Sequence, residues 1–367
     1  MKKMDNIILT EQQKKIIQAP EKYVCVRASA GNSKTLCLIE RIKWLVSIGI
    51  KPDEIVAITF TRNGAQEILQ RLLPIQIGFC GTIHAYANYL LISNGIDTKD
   101  SISEEEFDKL FEQIKENPQC CENLKISHLL LDEAQDSNQN QFDFIFDLLK
   151  PDNWTIFGDE KQSIFGFNGA NPKALTNISK ELYVTNYQMT ENFRNSKEIH
   201  SFASYIISKA GKEYIDNSKL MRNYNGKKIT IPYDLDLLSE IIKGNDNFKD
   251  WFVLTRTNKQ LSTIYQFLQI KKIPCTTFRQ GDLSLEDLNK KMEENTVKVL
   301  TLHSSKGLQN KNVAIIGATI AKDHDGFKPS QYEIDETRLA YVGVTRAQDF
   351  LVWVKGREKK KKLSSWE

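Results

Sequence analysis

Two short segments carry residues that could together bind and cleave a phosphate anhydride. The first is ASAGNSKT, which ends at Thr35 and lies between an apolar and an amphipathic stretch. Backbone N–H groups of such a loop surround phosphates, with Lys34 reaching the β- and γ-phosphate oxygens and Thr35 holding Mg²⁺. The second is LDEAQD, in which Asp132 would bind Mg²⁺ through water and Glu133 would orient and deprotonate an attacking water. Together they predict phosphoryl transfer from a nucleoside triphosphate.

The first segment departs from the phosphate-loop pattern G-x-x-x-x-G-K-[ST], because both glycine positions are serine, Ser29 and Ser33. A serine brings a Cβ and a hydroxyl into a loop whose backbone must approach anionic oxygens closely. Taken alone, the segment could be an ordinary Ser/Gly turn, and the acidic segment could be a solvated turn. Because each segment follows an apolar stretch that reads as a strand of the same sheet, we favour the catalytic interpretation.

Short apolar strands alternate with helices along the chain, which predicts an α/β fold with parallel sheets covered by helices. Because carboxyl ends of parallel strands share one edge, the acidic residues should gather there. A more polar helical insertion is expected at about 86–124. The predicted strands are 23–28, 54–60, 128–132, 154–157, 251–254, 297–302, 313–317 and 350–354, and the predicted helices are 36–48, 65–72, 197–209, 258–270 and 336–347.

The composition indicates a folded globular protein but does not identify its binding partner. The 367 residues are 40% hydrophobic and 26% charged with a net charge of +3, which excludes intrinsic disorder and predicts two domains. The six cysteines have no metal-ligand spacing, no apolar leader follows the first residues, and no run approaches the ~20 apolar residues of a membrane span. We therefore expect a cytoplasmic location, no membrane association, and a solvated basic tail at Lys359–Lys362.

Eight segments, among them DEAQD of the acidic segment above, follow one another in an order that resembles superfamily 1 DNA helicases of the UvrD/Rep/PcrA group. The resemblance extends from Leu9 to Ala347, and this order is far more specific than any single segment. In chain order the segments are LTEQQ (9–13), TFTRNGAQE (59–67), GTIH (81–84), DEAQD (132–136), GDEKQSIFGFNGA (158–170), TENFR (190–194), TLHSSKGL (301–308) and RLAYVGVTRA (338–347).

The resemblance implies a set of nucleotide-binding residues. Gln13 would read adenine, Phe193 would stack on it, and Gln162 would sense the γ-phosphate. Arg194 and Arg346 would stabilise the charge that develops on the transferred phosphoryl group. The remaining positions are the loop residues Ser29, Ala30, Gly31, Asn32 and Ser33, together with Gly307 and Gln309, where Gln309 replaces the glutamate usual in the group. Without the motif context, each arginine could be in a surface salt bridge and Phe193 could be a core aromatic.

The resemblance also implies a single-stranded DNA site. Aromatic side chains suit this role because every base has a face on which they can stack, whatever the sequence. Considered one at a time, phenylalanines are more often part of a core. The matching positions are Phe60, Thr82, His84, Phe165, Phe167 and His303.

The expected architecture is two RecA-like parallel-sheet domains, 1–183 and 184–367, with the ATP site in the cleft between them. Residues 271–296 leave too little chain for a second accessory domain. We expect a minimal ATP- and Mg²⁺-dependent motor that moves 3′ to 5′ on single-stranded DNA and unwinds duplex poorly alone. Two alternatives remain: an ATP-gated DNA-binding switch, and an ATPase subunit of a nuclease-containing repair or phage-defence complex with slow hydrolysis.

Overall fold

The computed structural model describes residues 8–98, 107–122, 124–166, 173–244, 247–321 and 328–356. The chain forms two compact units: unit 1 extends to Phe193 and includes Asn217–Lys219, and unit 2 comprises Arg194–Asp216 and the chain from Leu220 onward. The division therefore falls after Phe193 rather than after residue 183. The reason is that β6 (Thr185–Gln188) pairs in parallel with β1 (Tyr23–Arg27) and so completes the first sheet.

Unit 1 is built on a parallel sheet whose strand order is β3-β2-β4-β5-β1-β6. The strand order places β5 between β1 and β4, so the chain crosses over the sheet through helices, as the alternation predicted. The strands other than β1 and β6 are β2 (Ile55–Ile58), β3 (Phe79–Gly81), β4 (His128–Leu131) and β5 (Asn153–Gly158), and the short β7 (Glu191–Asn192) follows them. The helices are α1 (Glu11–Ile17), α2 (Lys34–Ser47), α3 (Arg62–Leu72), α4 (Ile83–Ser93), α5 (Phe107–Glu116), α6 (Gln119–Glu122), α7 (Gln139–Asp143) and α8 (Ala174–Ile178).

Both faces of the first sheet are covered, which explains why its inner strands β2, β4, β5 and β1 are mainly apolar. Successive residues of β1 show this, since Val24 and Val26 pack with α2 while Cys25 packs on the other face. The predicted helical insertion at 86–124 contributes to that other face, where Leu90 and Phe111 are buried. This stretch therefore belongs to the core of unit 1.

Unit 2 repeats the architecture around a parallel sheet of order β11-β12-β10-β13-β14-β9. Both faces of β10 are covered, because all five of its residues are buried. The strands of this sheet are β9 (Lys227–Ile231), β10 (Trp251–Thr255), β11 (Cys275–Thr276), β12 (Val297–Thr301), β13 (Asn310–Ile316) and β14 (Ala347–Val354). The two-residue strand β8 (Lys219–Leu220), whose Lys219 belongs to unit 1, pairs with β7 in a separate sheet. The helices are α9 (Lys197–Ser208), α10 (Leu235–Lys243), α11 (Asn258–Ile270), α12 (Leu285–Glu293) and α13 (Gln331–Val344).

The α/β class with two parallel sheets is confirmed. Residues 271–296, expected to be too short for a domain, form β11 and α12, and β11 joins the second sheet. The predicted basic tail at Lys359–Lys362 lies outside the described residues. Within the described ranges, no helix combines the length and apolar character needed to cross a bilayer.

Candidate functional site

The loop from Ala28 to Ser33 joins β1 to α2, and the helix begins at Lys34. Lys34 is 8% exposed, and the hydroxyl of the next residue, Thr35 Oγ1, donates to Asp132 Oδ2 at 3.0 Å. Asp132 directly follows β4, which is separated from β1 by a single strand. The carboxyl edge of the sheet thus brings the loop and the acidic segment into direct contact.

Asp132 is a buried carboxylate, 4% exposed. Burial and then the charge of Glu133 raise the pKa of Asp132 to about 6, although Lys34 and the Thr35 hydroxyl oppose the shift. The proximity of two carboxylates to a single lysine is energetically unfavourable unless a multivalent charged ligand binds among them. Perturbation of this kind is common at functional sites.

The backbone at Ser33 and Glu133 is left-handed, with φ of 61° and 54°. A non-glycine residue in this conformation costs roughly 1–2 kcal/mol, and such strain persists where the surroundings over-determine it. In unit 1, the phosphate loop and the acidic turn each carry one such residue. The glycine-to-serine change at position 33 has therefore left the glycine-type backbone conformation in place.

A chain of buried polar side chains extends from Glu133 to Gln162. Gln135, which is fully buried, donates from Nε2 to Glu133 Oε2 and accepts the backbone N–H of Asp159 on Oε1 at 2.9 Å. Gln162 Nε2 donates to Asp159 Oδ2 at 2.6 Å. Gln135 and Asp159 lie within two of the sequence motifs. The sequence shows that they are present, but only the structure shows what they contact.

The predicted adenine-side residues, Gln13 and Phe193, both belong to unit 1, and Phe193 contacts the phosphate loop. Gln13 is 3% exposed and forms the α1 capping box, in which its Oε1 accepts the Thr10 N–H at 3.0 Å. Within the described residues no acceptor meets its Nε2. The backbone N–H of Phe193 donates to Gly31 O at 3.0 Å.

In unit 2, the two predicted arginines meet at one residue, Thr345. Arg194 Nη1 donates to the Thr345 carbonyl and Arg346 Nη2 to its hydroxyl, both at 3.3 Å. Arg346 is 1% exposed and also donates to the carbonyls of Val342 at 2.9 Å and Leu308 at 3.2 Å. The contact with Leu308 places the segment with Gly307 and Gln309, both exposed, beside Arg346.

Two supporting residues of this pair carried no sequence signal. Asn195, which is fully buried, donates from Nδ2 to the carbonyls on either side of Arg346, Thr345 at 3.3 Å and Ala347 at 2.6 Å. Arg222 donates to the Arg194 carbonyl at 2.6 Å and pairs with Asp349 at 2.8 Å. Each contact joins positions more than 25 residues apart, which no local pattern reveals.

The predicted DNA-contacting residues of unit 1 lie in segments that follow strands. The rings of Phe60 and Phe165 are stacked with centroids 4.8 Å apart, and both rings are half-buried. Thr82 caps α4 by accepting the Ala85 N–H at 3.2 Å. His84 is 3.4 Å from Gln141 Nε2.

The remaining two predicted DNA-binding residues are Phe167 and His303. Phe167 lies outside the described residues. His303 of unit 2 opens the turn after β12. Burial and then the charge of Arg256 lower the pKa of His303, so this imidazole is neutral at pH 7.

Comparison with known proteins covers both units. The family described as "UvrD/REP helicase N-terminal domain" matches residues 9–119 and 76–183. The family described as "UvrD-like helicase C-terminal domain" matches residues 279–357. Between them, the two matches include the phosphate loop, the acidic turn and Arg346.

Curated relatives are similar at low identity and are longer. The yeast protein named "ATP-dependent DNA helicase HMI1, mitochondrial" is 24% identical over 81% of this chain and 57% of its own length. A mimivirus protein named "Putative ATP-dependent DNA helicase R568" is 28% identical over 87% and 49%. "ATP-dependent DNA helicase Rep" of Salmonella typhimurium is 27% identical over 41% and 24%. This chain thus spans 24–57% of the length of these relatives, and from the two family matches it belongs to the UvrD/Rep family of superfamily 1 helicases.

Proposed function

We propose that this chain is a DNA-dependent ATPase that uses Mg²⁺–ATP hydrolysis to move along single-stranded DNA. The observation that carries the proposal is the 3.0 Å contact between Thr35 of the phosphate loop and Asp132 of the acidic turn. It joins the two proposed Mg²⁺-binding groups, the hydroxyl of the phosphate loop and the carboxylate that precedes the proposed base Glu133, which is the arrangement that phosphoryl transfer needs.

Glu133 is the proposed general base. The oxygen of water forms the new bond to the γ-phosphorus, the bond from that phosphorus to the bridging oxygen of ADP breaks, and the water proton passes to the Glu133 carboxylate. Gln135 holds that carboxylate through its Nε2, and the Asp159–Gln162 contact orients the γ-phosphate sensor. Arg194 and Arg346 are the proposed source of positive charge for the transition state.

Magnesium fits the donor set at this site. Thr35 and Asp132 offer a hydroxyl and a carboxylate oxygen, which are the hard ligands that Mg²⁺ prefers. When bound, Mg²⁺ neutralises phosphate oxygens and so stabilises the leaving ADP. Thr35 and Asp132 would hold it, and Lys34 would carry the remaining phosphate charge.

DNA binding is proposed at the Phe60–Phe165 pair. Two stacked, half-buried rings offer a platform for unpaired bases, and such stacking contributes ~1–3 kcal/mol per base without sequence preference. The relatives are named DNA helicases, and this supports DNA as the polymer. We further propose 3′-to-5′ movement driven by ATP-linked closure of the two units.

The test is strand displacement and ATP turnover on defined DNA. Displacement from substrates with a 3′ single-stranded tail but not a 5′ tail supports the proposed direction. Equal displacement from both tails contradicts the direction, and failure of single-stranded DNA to stimulate ATP turnover contradicts the motor itself.

A second candidate, an ATP-gated DNA-binding switch, is favoured by one observation. Ser33 places a Cβ and a hydroxyl in a left-handed position of the loop, where they could slow turnover. The two candidates differ in their response to Ser33→Gly. A large rise in turnover supports the switch, and little change supports the motor.

A further inference from the structure

Four hydrogen bonds hold the phosphate loop in place, one within the loop and three from outside it. Asn32 is 1% exposed; its Oδ1 accepts the Ser29 N–H at 3.0 Å and its Nδ2 donates to Met189 O at 3.0 Å. Asn192, also 1% exposed, donates from Nδ2 to Ala30 O at 3.1 Å. The Phe193 N–H donates to Gly31 O at 3.0 Å. Three of these bonds attach the loop to the segment 189–193.

The same bonds set the direction of the loop's peptide groups. In a trans peptide the carbonyl of one residue and the N–H of the next point in opposite directions. Asn192 holds the carbonyl of Ala30 toward segment 189–193, so the Gly31 N–H is turned away from it. The Phe193 N–H orients the next peptide in the same way. Of these two N–H groups, that of Asn32 donates to Ser29 O at 3.4 Å within the loop, and we expect that of Gly31 to face the phosphates.

This external support matters because Ser33 is left-handed at φ 61° and receives no help from its own side chain, which makes no capping hydrogen bond. A strained residue of this kind persists only where neighbouring structure excludes relaxation. The side-chain amides of Asn32 and Asn192 prevent such relaxation. Asn32 lies directly before Ser33, and Asn192 fixes Ala30, two residues before Asn32.

We propose that Asn32 and Asn192 are positioning residues that keep a serine-containing phosphate loop in the shape that receives nucleotide phosphates. The two asparagines are needed because position 33 is serine, which is strained in the left-handed conformation, and not glycine. The proposal rests on the proposed nucleotide-binding function and deepens it. It predicts an energetic coupling between Asn192 and Ser33, although no hydrogen bond between them is described.

The test is a double-mutant cycle with Ser33→Gly and Asn192→Ala in the full chain. Binding of Mg²⁺–ADP without DNA and steady-state ATP turnover are measured for all four proteins. We expect Asn192→Ala to raise the Kd for ADP about tenfold alone and about twofold in the Ser33→Gly background. The ratio of about five is the factor expected when ~1 kcal/mol of left-handed strain is released. Asn192→Asp, which keeps the volume and loses the donor, should match the alanine variant or exceed it.

Asn153→Ala is the matched control in the same unit. Its Nδ2 also donates to a backbone carbonyl, Ser127 O at 2.8 Å, but it lies at the opposite end of β5 from the site. We expect it to lower the melting temperature without raising the ADP Kd and without coupling to Ser33→Gly. Equal factors for Asn192→Ala in both backgrounds would overturn the proposal, as would an effect no larger than that of the control.

The outcomes also separate this inference from the proposed function. A chain that binds ADP and hydrolyses ATP but shows an additive cycle retains the proposed function and loses the inference. A chain that binds ADP with the predicted coupling but shows no DNA-stimulated turnover retains the inference and loses the motor. Absence of nucleotide binding overturns both.

Discussion

Ser33 and Glu133 adopt the left-handed conformation at the two turns that form the candidate nucleotide site. Ser33 departs from the phosphate-loop pattern in its side chain, and its backbone has a positive φ, which glycine adopts without strain. Glu133 directly follows Asp132 and has the same left-handed conformation. Its charge helps to raise the pKa of Asp132. Both positions store strain where the proposed chemistry takes place.

Ser33→Gly should stabilise the protein. Relief of left-handed strain favours the variant by roughly 1–2 kcal/mol, and the greater freedom of glycine in the unfolded chain opposes it by roughly 0.5–1 kcal/mol. We expect a net gain of about 0.5–1 kcal/mol in urea unfolding. A loss of stability would show that the serine hydroxyl makes a contact worth more than the strain.

Gln135→Glu should lower kcat and leave the KM for ATP nearly unchanged. The substitution preserves shape but removes the Nε2 donor to Glu133 and places a second carboxylate beside it. Loss of general-base positioning typically costs about 10²-fold in rate. Steady-state kinetics check this, with the exposed Gln139→Glu as control. An unchanged kcat would remove Glu133 from the role of base.

Residue identities at the site were largely predictable, but their partners were not. Lys34, Thr35 and Asp132 could be found because phosphate loops and acidic turns have local spacing. Asn192 and Asn195 could not, because their roles arise from contacts with Ala30 and Thr345, which lie far along the chain. A lone asparagine carries no periodicity, and only the tertiary structure shows which residues it contacts.

At the scale of elements, one buried arginine ties α1 to the sheet. Arg41 of α2 is 2% exposed, and its Nη1 donates to three carbonyls at the end of α1 at 3.0–3.1 Å. Its Nε donates to Thr155 Oγ1 at 2.8 Å, and burial lowers its pKa to about 10. The helix that carries Gln13 is therefore fixed by the helix that follows the phosphate loop.

Arg41→Lys should loosen α1. An ammonium cannot reach the three carbonyls and Thr155 together, and each buried polar group left without a partner costs ~1–3 kcal/mol. We expect a total loss of about 2–4 kcal/mol in urea unfolding and faster hydrogen exchange of α1 amides. Arg71→Lys, which alters an exposed pair with Glu67, is the control and should change stability by under about 0.5 kcal/mol. Equal effects of the two substitutions would contradict the account.

Phe60→Ala should weaken single-stranded DNA binding and spare ADP binding. The loss of one stacking ring is expected to cost ~1–3 kcal/mol, or about 5- to 150-fold in the Kd for oligothymidylate. Fluorescence anisotropy measures this. An ADP Kd that rises as much as the DNA Kd would indicate damage to the fold of unit 1 and not the loss of a DNA contact.

Elements with strong apolar patterns were predicted well, and α11 was predicted with the bounds that the structure gives it. The strands that were not predicted are β3, β6, β7, β8, β9 and β11. Four of them have only two or three residues, and the other two, β6 and β9, contain few apolar residues. β3, β6, β9 and β11 owe their strand conformation to pairing with an apolar neighbour. Helix α10 was overlooked although Asp234 caps it, so that signal was available.

At the scale of the whole molecule, the chain has two α/β units and matches both halves of the UvrD/Rep family. Each unit gathers its own predicted site residues: Lys34, Thr35 and Asp132 in unit 1, and Arg194 and Arg346 in unit 2. Residues 271–296, which are too few for a second accessory domain, form β11 and α12. We expect translocation without efficient unwinding, and robust displacement of long duplexes by dilute protein would contradict this.

The central claim is that DNA binding stimulates hydrolysis at the Lys34–Asp132 site. The most direct measurement is the ATP turnover rate of the full chain alone, with single-stranded DNA and with RNA, beside Lys34→Ala under the same conditions. We predict that single-stranded DNA raises turnover at least about tenfold over protein alone and that Lys34→Ala abolishes this stimulation. Turnover with DNA no higher than that of Lys34→Ala would contradict it.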